Sequence, residues 1–152
     1  NSEKRKKCFV GWLKASNKNT PKIKHYLPLR ADRNYKHCGG LMFYVQVNVK
    51  YTEKPLQMYP NGKVEVHCIS VMLKSSELDI LNIYIPPNVR TSKREFLHYL
   101  NQLQKNYIIC GDMNAHHHSW DSEANMINNQ TVKIIYKILT EKENICLATP
   151  RI

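Results

Sequence analysis

The chain has 152 residues, 42% hydrophobic and 23% charged, a balance that favours one globular domain over a disordered segment. It carries 23 Lys and Arg against 12 Asp and Glu, a formal net charge of +11, and residues 1–36 hold 11 of those basic side chains beside only Glu3 and Asp32. No run reaches the ~18 apolar residues of a membrane-spanning helix, so no membrane partner is expected.

In chain order, residues 1–7 are polar and basic and predict a frayed N-terminus, with the domain proper over 8–152. Cys8 to Leu13 predicts a short strand. Residues 14–37, broken by Pro21 and Pro28, predict irregular basic surface. Leu41 to Val49 is β-rich after Gly39-Gly40. Pro60-Asn61-Gly62 is a turn signal. Val64 to Leu73 and Leu78 to Ile85 predict two strands of one hairpin, the second stopped by Pro86-Pro87. Ser92 to Gln104 predicts a helix, opened by the capping-box pair Ser92 and Glu95. Tyr107 to Cys110 is short and wholly apolar, the pattern of a strand buried on both faces. Residues 116–128 predict a polar loop, Gln130 to Lys142 a second helix, and Ile145 to Ala148 a last short strand. The class that follows is α/β and sandwich-like.

A one-sided basic segment suits a polyanion, because phosphate contacts release counterions. Lys14, Lys18, Arg30, Arg33 and Lys36 are the candidate DNA contacts. The five cysteines are odd in number, widely spaced and without a Cys-x-x-Cys pair, so neither a disulfide framework nor a structural zinc site is expected. That usage implies a reducing compartment, the nucleus or the cytoplasm.

The richest stretch is Tyr107-Ile-Ile-Cys-Gly-Asp-Met-Asn-Ala-His-His-His-Ser-Trp120. An apolar strand there delivers Gly111, Asp112 and Asn114, and catalytic groups concentrate where buried strands open into loops. In extended backbone Asp112 and Asn114 face one side, and a carboxylate beside a carboxamide can orient a water and hold a phosphate oxygen. The same spacing also describes a simple turn. Asn82 and Tyr84 share a face of the strand before Pro86-Pro87, where a tyrosine hydroxyl can reach a phosphate or satisfy itself in the core. His116, His117 and His118 are adjacent, a spacing unsuited to converging on one metal ion.

Together, Gly39-Gly40-Leu41-Met42-Phe43-Tyr44-Val45, Asn82-Ile-Tyr-Ile-Pro-Pro87 and Gly111-Asp-Met-Asn-Ala-His-His117 with Trp120 resemble the apurinic-endonuclease-like domain of non-LTR, jockey-like retrotransposons. That domain belongs to the endonuclease/exonuclease/phosphatase superfamily. The resemblance implies a four-layer α/β sandwich, here partial, that hydrolyses DNA phosphodiesters with a divalent metal, usually magnesium. It implies that Asp112 orients or deprotonates the attacking water, Asn114 helps bind the phosphate, and Tyr84 contacts the scissile group. It implies DNA as substrate and element RNA as a partner through a reverse transcriptase in the same polyprotein.

Two departures stand out. The family's metal-binding Glu precedes a Trp-Leu in this branch, yet Phe9-Val10-Gly11 precedes Trp12-Leu13 here, so no metal ligand is matched in this chain. The family's C-terminal Ser-Asp-His is also unmatched. The expectation is an incomplete endonuclease domain, truncated at both ends, weakly active or inactive alone and marginally stable or self-associating. A non-catalytic basic nucleic-acid-binding module and a phosphatase or lipid phosphodiesterase of the same superfamily are the alternatives.

Overall fold

The structure, a computed structural model, describes residues 20–32, 40–87, 89–115 and 130–141. The described elements are β1 (Tyr26–Asp32), β2 (Gly40–Gln46), β3 (Tyr51–Glu53), β4 (Glu65–Met72), β5 (Glu77–Tyr84), α1 (Lys93–Leu100), β6 (Tyr107–Asp112) and α2 (Gln130–Glu141). β1 and β2 form a two-stranded antiparallel sheet. The other strands form a four-stranded sheet in the order β3-β4-β5-β6. β4 and β5 are the expected hairpin, and β5 and β6 run parallel. A parallel neighbour needs a crossover, and α1 supplies it.

Three layers follow. Cys68, Leu81 and Ile83 of the four-stranded sheet pack with Phe96, Tyr99 and Leu100 from α1 and with Ile134, Ile135 and Ile138 from α2. On the opposite face, Ile69, Val71 and Ile80 pack against Phe43 and Val45 of β2. β4 and β5 are therefore covered on both faces. This is the α/β sandwich expected from the sequence.

Three expectations need correction. Residues 26–32 are not irregular surface: they form β1 and pair with β2 along its whole length, Tyr26 opposite Gln46 and Asp32 opposite Gly40. Pro28 sits inside that strand opposite Tyr44, at a place in a two-stranded sheet where a missing N–H need not break a ladder. The expected first helix ends early, at Leu100 rather than Gln104. Gln102 and Leu103 donate to carbonyls three residues back, and the Gln104 N–H leaves the helix for the Asp79 carboxylate at 2.7 Å. β6 is two residues longer than expected and lies at the edge of the described sheet, with Ile108 49% exposed, so it is not buried on both faces. At the start of α1, Ser92 caps as expected, its Oγ accepting the Glu95 N–H at 3.0 Å. The expected strands at Cys8–Leu13 and Ile145–Ala148, the frayed residues 1–7 and the loop 116–128 lie outside the described residues.

One carboxylate ties these elements together. Asp79 on β5 has no exposed surface. Its Oδ2 pairs with Lys54 Nζ at 2.6 Å, just past β3, and accepts the Gln104 N–H at 2.7 Å. Its Oδ1 accepts the Ser70 hydroxyl of β4 at 2.6 Å. Burial alone would raise its pKa, but the hydrogen bonds from Lys54, Ser70 and Gln104 outweigh that and hold the carboxyl below its ordinary value.

Because its folded pKa is depressed, Asp79 stabilises fully above its unfolded pKa of about 3.9, and that contribution is lost as pH falls below it. We expect Asp79→Ala to cost about 3–5 kcal/mol in urea unfolding at pH 7, since it strands a paired Lys54. Asp79→Asn should also be less stable at pH 7, with the gap to wild type closing as pH drops below about 4. A pH-independent gap would show that the carboxylate is not the acid-sensitive group.

Candidate active site

The parallel β5-β6 pair sets the geometry. Its register runs from Asp79 opposite Tyr107 to Tyr84 opposite Asp112, so the two predicted residues end their strands side by side. Both emerge at the carboxyl end of the pair, where ligands bind in open α/β sheets. The pair is closed there by the Ile85 N–H, which donates to the Asp112 carbonyl at 2.9 Å.

Gly111 makes this close approach possible. Its φ is +125°, and a Cβ there would fall 2.0 Å from the Ile83 carbonyl oxygen. Only glycine tolerates both conditions. Beyond it, Asp112 Oδ1 accepts the Asn114 N–H at 2.9 Å, an Asx-type turn. Asn114 adopts a left-handed φ of +47°, and its Nδ2 donates to the Ile85 carbonyl at 2.8 Å. Asp112 and Asn114 are thus brought together by a turn, not by strand alternation. The functional and the turn readings of the spacing describe the same geometry. Tyr84, Asp112 and Asn114 are all half-buried, between core and surface.

Of the predicted DNA contacts, Arg30 alone lies among the described residues. Arg30 lies on β1 with its guanidinium on Asp32, at 2.9 Å for the shortest N–O pair, and on the Thr20 hydroxyl at 2.7 Å. A phosphate at Arg30 would compete with that carboxylate. Lys14, Lys18, Arg33 and Lys36 lie outside the described residues, as do Phe9 to Leu13, His116 to His118 and Trp120. Sequence reasoning gave no role to Asp79 or to His67, which is buried with Nε2 3.2 Å from Glu53 Oε2. A polar residue inside an apolar strand was the available signal for each.

Burial pushes the Cys68 thiol up to about 12, with the nearby Asp79 charge adding to it. Burial likewise pushes Cys110 up to about 12. Both stay protonated at neutral pH and are unsuited to nucleophilic or metal-binding roles.

The described residues form an α/β sandwich, with the candidate site at the carboxyl end of β5 and β6. The structure is similar to the endonuclease domain of TRAS1, a telomere-specific non-LTR retrotransposon, with a TM-score of 0.57 and 14% identity over 78% of this chain and 54% of that one. Residues 78–151 match the family described as Endonuclease-reverse transcriptase. The chain is 23% identical over 101 residues to a probable RNA-directed DNA polymerase from transposon BS of Drosophila melanogaster, covering 66% of this chain and 11% of that relative. The resemblance read from the sequence is borne out: the chain is similar to a retrotransposon reverse-transcriptase protein in sequence and to a retrotransposon endonuclease domain in fold.

Endonuclease/exonuclease/phosphatase enzymes generally use a divalent metal. The described residues do not by themselves make a site for one: no group of three His, Cys, Asp or Glu side chains converges among them. Asp112 is the one carboxylate of the Tyr84, Asp112 and Asn114 set.

We expect Gly111→Ala to cost about 3 kcal/mol or more in chemical unfolding, from strained backbone plus the Ile83 clash. Asn114→Ala should cost about 1 kcal/mol and Asn114→Gly less, because glycine accepts the left-handed φ. Equal losses for the two Asn114 variants would remove the backbone argument.

Proposed function

We propose that this chain supplies the Tyr84, Asp112 and Asn114 part of a DNA-nicking centre in a retrotransposon polyprotein. The observation that supports it most is the side-by-side ending of Tyr84 and Asp112 on parallel strands, with Asn114 folded back onto Asp112 and Ile85. In this reading the Asp112 carboxylate orients a water and takes its proton as the water attacks phosphorus; the P–O bond to one sugar oxygen breaks, and that oxygen leaves and takes a proton from solvent. The N–H that Asn114 gives to Asp112 Oδ1 keeps that carboxylate aimed. Tyr84 and the Asn114 carboxamide hold phosphate oxygens as negative charge grows on them. The basic residues of segment 1–36, with Lys14, Lys18, Arg30, Arg33 and Lys36 among them, attract the DNA backbone.

Magnesium is the ion we assign, on family resemblance alone. It would supply Lewis acidity toward the phosphate. Element RNA is the second partner in this reading, and the nucleus or cytoplasm the compartment. Without an acid before Trp12-Leu13, nicking by the 152-residue chain alone should be slow.

The test is conversion of supercoiled plasmid to nicked circles by the full-length product with magnesium or manganese. We expect Asp112→Asn to slow nicking by about 10²–10⁴-fold at unchanged thermal stability. Nicking that persists in the Asp112 variant would overturn the assignment.

A further inference from the structure

We propose that Asn82 is a positioning residue that fixes how the two sheets meet beside the site. The proposal rests on reading Tyr84, Asp112 and Asn114 as that site. Asn82 has no exposed surface, and its strand neighbours Leu81 and Ile83 are also buried. A carboxamide in such surroundings is costly unless it is bonded. Its Nδ2 donates to the Met42 carbonyl of β2 at 3.3 Å, a bond from the four-stranded sheet to the two-stranded one. A carbonyl only accepts, so the amide nitrogen must face Met42 and the oxygen must face away.

That oxygen has no hydrogen-bond partner among the described residues. It lies 2.9 Å from the point where a Cβ on Gly111 would sit. One side chain therefore touches β2 on one side and the residue before Asp112 on the other. It also lies two residues before Tyr84 on β5.

Apolar faces such as Phe43 and Val45 against Ile69 and Ile80 bind without choosing an exact alignment. A single buried polar pair does choose, as a lone Asn does in a coiled-coil core. Asn82 leaves one acceptor unmet inside the sandwich. That is the signature of a side chain kept for alignment more than for stability.

Asn82→Leu separates the two roles, because leucine keeps the branched shape and loses the donor. The first measurement is amide hydrogen exchange by NMR on the wild-type chain and the variant. The reporters are Ile85 and Asn114, whose N–H groups bond to Asp112, and Asp79, whose N–H bonds to Asn106 at the far end of the pair. We expect exchange at Ile85 and Asn114 to rise about tenfold or more, with Asp79 little changed. Ile138→Ala, which thins the core on the helix face, should instead move all three alike. A uniform rise in Asn82→Leu, or none, overturns the proposal.

The second measurement is nicking by the full-length product. There kcat should fall by about 10²-fold with KM nearly constant, as for a displaced catalytic group. If the wild type does not nick at all, the nuclease reading fails, while the exchange result still decides the role of Asn82.

Discussion

The parallel pairing of β5 with β6 is the constraint on which the rest of the structure depends. It is held at both ends. At its start, the Asp79 N–H donates to the Asn106 carbonyl, and the Asp79 carboxylate takes the Gln104 N–H, Ser70 and Lys54. At its finish, the Ile85 N–H donates to the Asp112 carbonyl, and Gly111 lets the two backbones close. Shift this register by one residue and Asp112 no longer ends opposite Tyr84. A buried ionic network thus anchors one end of the strand pair, and the candidate site lies at the other.

The two ends differ in kind. The Asp79 end is satisfied: three donors offset the cost of burying a charge. The Gly111 end carries strain, with positive φ at Gly111 and Asn114 and an unmet acceptor on Asn82. Strain and unmet polar groups gather where function constrains geometry. The distribution found here agrees with a site at the carboxyl end of the pair and a structural anchor at the other.

Much of the fold was legible in the sequence. The β4-β5 hairpin, the Ser92 cap and both helices follow from local pattern, and local pattern is what propensity and periodicity report. β1 was not legible, because Pro28 and the basic residues around it read as loop and its strand state comes from pairing with β2. Nor was the edge position of β6, since Tyr107 to Cys110 is apolar whether or not a neighbour covers it. Of the site, Tyr84, Asp112 and Asn114 were visible as a spaced motif. The turn that joins the last two is local and was legible as the second reading of that spacing. The roles of Asn82 and Asp79 depend on partners 40 and 25 residues away in sequence, and a polar residue inside an apolar strand is their one local trace.

The most direct test of the central claim is an NMR titration of the chain with a short DNA duplex in EDTA, following backbone amides. It needs no catalysis. The account predicts shifts concentrated at Tyr84, Ile85, Asp112 and Asn114 as duplex is added. Shifts confined to residues away from the carboxyl ends of β5 and β6, with those four amides unmoved at saturating DNA, would contradict it.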